Sequence, residues 1–125
     1  MSERVKRELA LVAAAYGELE LDQDLRWYII KQWPLVPGWN KESTRVLILI
    51  PPGYAVTPPD NFYADADLAV KSGAQPGSTS AAQPINGQQW LQFSYHIEAS
   101  DWQPENGHNL LSFLGGVDRR LRETN

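Results

Sequence analysis

Residues Pro51-Pro52-Gly53-Tyr54-Ala55-Val56-Thr57-Pro58-Pro59 constrain the fold more than any other stretch of the chain. Five fixed or permissive backbone positions in nine forbid a helix and rule out a central strand, because proline lacks an N–H donor and locks φ. The segment must be an ordered extended loop or disordered. What precedes it is Thr44-Arg45-Val46-Leu47-Ile48-Leu49-Ile50, a short apolar run bounded by turn signals. Such a run reads as a well-buried strand that leads straight into the loop.

Upstream, Val5, Leu9, Val12, Ala13 and Tyr16 recur with helical spacing, which predicts an amphipathic first helix, capped by Ser2 and ending at Gly17. Its Ala13-Ala14-Ala15 run favours close packing on a sheet. Glu18-Leu19-Glu20-Leu21 alternates and begins a strand, Asp22-Gln23-Asp24 is a turn, and residues 26–33 are β-branched and aromatic enough to form a second strand. Pro34 and Pro37-Gly38 close that strand, and sequential strands with short connections favour an antiparallel meander. Residues 71–87 are rich in Ser, Ala, Gln, Gly and Pro and read as a mobile loop. Gln89 to Ile97 is a final extended segment, and Leu110, Leu114, Val117 and Leu121 mark a C-terminal helix whose Arg119, Arg120 and Arg122 suit its dipole. The expectation is an α+β fold with about four antiparallel strands, in one domain covering residues 1–125.

Composition narrows the function. Eleven Lys and Arg against fifteen Asp and Glu give a net charge of −4, so there is no overall cationic field to gather nucleic acid or anionic lipid. Cysteine is absent, which removes disulfides, thiolate nucleophiles and cysteine-based metal sites. The apolar stretch ending at Ala15 is too short to span a membrane, and a cytoplasmic location is the expectation. His96 and His108 lack the spacing of a helical metal pair, and Asp60, Asp65 and Asp67 are not followed by a calcium-binding loop. No metal or cofactor is expected.

The order of elements resembles the ubiquitin-conjugating-enzyme (UBC) fold, and two motifs carry the resemblance. Ile50 to Pro59 is similar to that family's strand running into Pro-x-x-Tyr-Pro-x-x-Pro-Pro, with Ala55 where proline is usual. Trp102-Gln103-Pro104 ahead of a helix is similar to its Trp-Ser-Pro. Phe62-Tyr63, Trp90, Ser94-x-His96 and the short C-terminus resemble the prokaryotic UBC-like group of bacterial ubiquitin-like conjugation operons. That resemblance implies two partners, a ubiquitin-like protein and an adenylating enzyme. In the family the nucleophilic Cys lies eight residues before the Trp, and the residue at that position is Ser94. The family's His-Pro-Asn ends eight residues before the Cys, which places Asn86 of Pro84-Ile85-Asn86 as candidate oxyanion support, without the His.

With no thiol, a thioester carrier is impossible. Residues i and i+2 of an extended segment share a face with Cα atoms roughly 6.5 Å apart, so Ser94 and His96 form a candidate nucleophile and general base. Glu98 and Asp101, close in sequence, are the candidate acids to orient His96. The product would be an oxyester to the modifier's C-terminal carboxyl. The other reading makes Ser94 and His96 ordinary polar residues of a Cys-less variant that binds a ubiquitin-like protein non-covalently or serves as a scaffold. For partner binding the candidates are Arg4, Lys6 and Arg7 on the first helix, which in the family helps engage the activating enzyme, together with Trp39 and Pro58. Trp33 is expected to pack on the sheet, and His108 to have a cap or loop role.

Overall fold

The computed structural model describes residues 3–125. Helix α1 (Glu3–Tyr16) is followed by strands β1 (Leu19–Leu21), β2 (Trp27–Pro34), β3 (Ser43–Leu49), β4 (Phe62–Asp65), β5 (Thr79–Ala81) and β6 (Trp90–Phe93), then helix α2 (Leu110–Leu121). The proposed cap Ser2 lies outside the described residues. All six strands join one antiparallel sheet in the order β1-β2-β3-β4-β6-β5. The fold is thus α+β and UBC-like, with two strands more than the apolar pattern announced. β4 was legible only as the aromatic pair Phe62-Tyr63, and β5 lies inside the polar segment 71–87.

Alternation along the strands sorts side chains between two faces. Tyr28, Ile30, Val46, Ile48, Phe62, Leu91 and Phe93 point to the helices and meet Val5, Leu9 and Val12 of α1 and Leu110, Leu114, Val117 and Leu121 of α2. Trp27, Ile29, Leu47, Tyr63 and Trp90 form a smaller cluster on the other face, closed by Ile85. Arg45 sits 4.3 Å over the Trp90 ring there. Both helices therefore share one side of the sheet. The alanine run does not: Ala13, Ala14 and Ala15 are exposed, because the buried stripe of α1 runs through Val5, Leu9 and Val12. Trp33 is buried and stacks on Tyr16 with ring centroids 4.7 Å apart, as expected.

The ends of the elements are chemically specified. α1 stops at Gly17, whose φ of +90° suits a residue without Cβ, and its N–H returns to the Ala13 carbonyl. α2 starts with a reciprocal capping box between Asn109 and Ser112. The β1–β2 turn is fixed by Asp22, whose carboxylate accepts from the Arg26 backbone N–H at 3.0 Å and from its guanidinium at 2.7 and 3.1 Å. The guanidinium bonds hold the Asp22 carboxyl at about 2. Because the folded value lies below the ordinary carboxylate value, the stabilisation is complete above about pH 4 and is lost as pH falls towards 2. The difference in urea midpoint between wild type and Asp22→Asn is expected to be constant at neutral pH and to shrink below about pH 4. A difference that persists undiminished into strong acid would refute this account of the turn. Among the described residues, no helix is long and apolar enough to cross a membrane.

Candidate functional site

The proline-rich loop is held from two sides. Trp102 donates its indole N–H to the Ala55 carbonyl at 2.7 Å, so the Trp-x-Pro segment is tied to the loop it accompanies in the sequence pattern. Tyr54 donates its hydroxyl to Glu8 of α1. The same Glu8 oxygen accepts the backbone N–H of Leu110, the first residue of α2, at 2.8 Å. Burial first, and then the Glu8 carboxylate, push the Tyr54 phenol well above its ordinary value. The loop therefore leaves the sheet on a fixed path and returns to it at Pro59, which is buried, and Asp60.

From there the chain meets the segment that follows β6. Asn61 donates its backbone N–H to the Tyr95 carbonyl at 2.7 Å, and its side-chain oxygen accepts the Tyr95 N–H at 3.1 Å. On the opposite side, Ser94 donates its N–H to the Ser78 carbonyl at 3.0 Å. Asn61 and Ser78 have φ of +61° and +57°, a left-handed conformation that is unusual outside glycine and tends to collect at functional sites. Residues 94 and 95 are thus clamped from both neighbours. Tyr95 and Ile97 pack towards the helix-side core. An added Cβ at Gly116 of α2 would lie 1.8 Å from the Tyr95 hydroxyl oxygen, so this helix position must lack a side chain for Tyr95 to lie against it. With Tyr95 turned inward, Ser94 and His96 face outward, and both are exposed.

The acid that meets His96 comes from a neighbouring segment. His96 Nδ1 is hydrogen-bonded to the Asp60 carboxylate, and both side chains are exposed, at 66% and 63%. Glu98 instead caps the 3-10 turn Ala99–Asp101, and Asp101 ends it. Sequence spacing points to those two acids and misses Asp60, because the contact joins residues 36 apart. When Nδ1–H donates to the carboxylate and the ring is neutral, the lone pair is on Nε2.

Three other expected site residues stand elsewhere. Asn86 is the first residue of an Asn-Gly hairpin turn, with φ of +53°, and Ile85 and Gln88 exchange backbone bonds across it. Ser94 lies at the opposite end of that hairpin, beside Ser78, roughly 20 Å along the strand from the turn. Asn86 therefore cannot serve an oxyanion at Ser94. Trp39 is not an exposed docking residue: it is 5% exposed, and its indole N–H donates to the Leu121 carbonyl at 2.8 Å. Arg4 is occupied by the fold, pairing with Glu8 and donating to the Pro104 and His108 carbonyls at 3.0 and 3.1 Å. His108 accepts the Gln103 N–H on Nδ1 at 2.8 Å, which is the expected loop role.

Lys6 and Arg7 remain exposed on α1. Lys6 borders an apolar groove of about 740 Å³ between α1 and the β1 edge, lined by Ala10, Ala13, Leu19 and Leu21. Pro58 is half-buried, while Val56, which sequence reasoning did not single out, is 85% exposed in the proline-rich loop. Its isolation between Tyr54 and Pro58, both turned to the body of the protein, is the signal that marks it.

No curated protein and no solved structure matches the chain. The family model described as Prokaryotic E2 family E matches residues 6–124, nearly the whole length, a range that includes most of α1, the proline-rich loop, the Ser94–His96 segment and α2. The chain belongs to this prokaryotic E2 family and is a UBC-like component of a conjugation pathway.

Proposed function

We propose that this chain is the carrier of a prokaryotic ubiquitin-like conjugation pathway and accepts the modifier from an adenylating enzyme as an oxyester on Ser94. What supports the reading is that Ser94 is the residue the family resemblance puts at the nucleophile position, and that it is exposed, two residues from a histidine bonded to a carboxylate. Ser94 Oγ attacks the activated C-terminal carbonyl carbon, its proton passes to His96, and the activating group leaves with the electron pair of the bond it had to that carbon. A serine hydroxyl is far less acidic than a thiol, so His96 has to supply what the sulfur would have supplied by ionising unaided. Lys6, Arg7 and the adjoining groove on α1 are the docking face for the adenylating enzyme, with Val56 and Pro58 a second contact point for partners.

A second reading follows from the missing thiol and from the distance of Asn86. Without an oxyanion donor from that turn, a chain that binds the modifier non-covalently retains the fold and loses the chemistry. Intact-mass spectrometry after incubation with modifier, adenylating enzyme and ATP separates the two. The carrier reading expects an adduct that survives thiol reductant, is cleaved by hydroxylamine and is absent in Ser94→Ala. It also expects His96→Ala to slow adduct formation by about 10²–10⁴-fold. Modifier binding without an adduct in any sample would establish the non-covalent reading instead.

A further inference from the structure

Asp60 is a residue for which neither the family motifs nor the local spacing supplies a role. We infer that Asp60 is a positioning residue, fixing His96 in the Nδ1–H tautomer so that Nε2 is the nitrogen presented to Ser94; its catalytic consequence rests on the oxyester reading above.

Three observations converge on this assignment. First, the contact is directional. The Asp60 carboxylate reaches Nδ1 of His96, and an ionised carboxylate has no proton to donate, so the bond requires the proton on Nδ1. An unrestrained imidazole favours the other tautomer, with its proton on Nε2 and the lone pair on the nitrogen nearer the backbone. The carboxylate reverses that preference and makes the outer nitrogen the base. Second, the carboxylate is delivered by a rigid frame. Pro58 and Pro59 fix the approach, Pro59 is buried, and Asn61 grips both polar backbone atoms of Tyr95, the residue between Ser94 and His96. The frame thus locks the acid to the segment that bears the base and the candidate nucleophile. Third, the acid comes from a neighbouring segment. A row of Ser94, His96 and Glu98 along one extended segment would converge poorly, whereas Asp60, two residues ahead of β4, reaches His96 from the segment alongside.

Both members of the pair are about two-thirds exposed, so neither is a core element and their replacement leaves the packed interior intact. That exposure also makes the site reachable by a macromolecular substrate.

The test uses the 125-residue protein and needs no partner. Two-dimensional ¹⁵N-¹H NMR of the His96 ring at mildly alkaline pH reads the tautomer directly. The expected result is a dominant Nδ1–H form in the wild type, reverting to mainly Nε2–H in Asp60→Ala and to a mixture in Asp60→Asn, whose amide can either accept from or donate to Nδ1. A wild-type ring in the Nε2–H form, or a tautomer unchanged by both substitutions, would overturn the assignment. A parallel experiment treats the protein with a fluorophosphonate. In that reaction a Ser94 Oγ–P bond forms, the P–F bond breaks, fluoride leaves and the proton goes to His96. Labelling of Ser94 in the wild type, lost in Ser94→Ala and at least tenfold slower in Asp60→Asn with thermal stability unchanged, supports the positioning role. Labelling at the same rate in Asp60→Asn overturns it while leaving Ser94 as a nucleophile. If Ser94 is not labelled yet the tautomer follows Asp60, the assignment of Asp60 to His96 stands and the oxyester reading falls.

Discussion

Glu8→Ala is expected to destabilise the protein by about 3 kcal/mol, a large share of the stability of a domain this size. Glu8 is 5% exposed and is the meeting point of α1, the proline-rich loop and the start of α2. Removing its carboxylate leaves the Tyr54 hydroxyl half-buried without its acceptor and the Leu110 N–H buried without one, each costing about 1–3 kcal/mol when it cannot reach water. Arg4 loses its ion pair as well, but its side chain is 35% exposed and recovers solvation, so this part is small. Glu8→Gln keeps a carbonyl oxygen for Leu110 and is expected to cost about 1 kcal/mol, as is Tyr54→Phe, which removes only one donor. Urea denaturation of the three variants checks the ordering. A Glu8→Ala protein within about 0.5 kcal/mol of wild type would show that the loop and α2 are held by packing alone. The site depends on the same contacts, because Tyr54 anchors the loop that brings Asp60 to His96.

The parts of the fold written into local periodicity were legible: α1, α2, β2 and β3 stand where their spacing puts them, although α1 buries Val5, Leu9 and Val12 and leaves Ala13 exposed. β5 was not, because Thr79-Ser80-Ala81 has no apolar alternation and exists only by pairing with β6 at the sheet edge. β4 was hidden by brevity, four residues between Pro58-Pro59-Asp60-Asn61 and Ala66-Asp67. Within the site, Ser94 and His96 were visible as an i, i+2 pair, whereas Asp60 was invisible because tertiary topology alone brings it there. Asn86 was misplaced by counting along the chain as though it ran straight. The Asn86-Gly87 dipeptide is itself a hairpin signal, and reading it as one places the residue at a turn. Arg4 likewise has Glu8 four residues on, the spacing of an intrahelical ion pair, so its preoccupation with the fold had a sequence signature.

Trp39 separates a structural from a docking role most sharply. Trp39→Ala is expected to cost about 3–5 kcal/mol and to lower Tm by about 10 °C or more. Its ring is buried in the helix-side core, and its indole N–H satisfies the carbonyl of Leu121, the last residue of α2, which has no further helical turn to bond it. The loop around it is stitched to residues 67–71 by Asn40, whose amide bonds Asp67 and Ala69, and by Lys71, whose N–H reaches the Gly38 carbonyl. Gly38, with φ of +115°, lies so close to Thr124 that an added Cβ would be 2.7 Å from its side chain. Trp39 is therefore the centre of a junction between the β2–β3 loop, the segment after β4 and the end of α2. Trp39→Phe retains most of the ring and loses the donor, and is expected to cost about 1–2 kcal/mol. Calorimetry on both variants decides the matter: a docking tryptophan would leave Tm unchanged in each and weaken partner binding, whereas the junction predicts a graded loss of Tm before any partner is added.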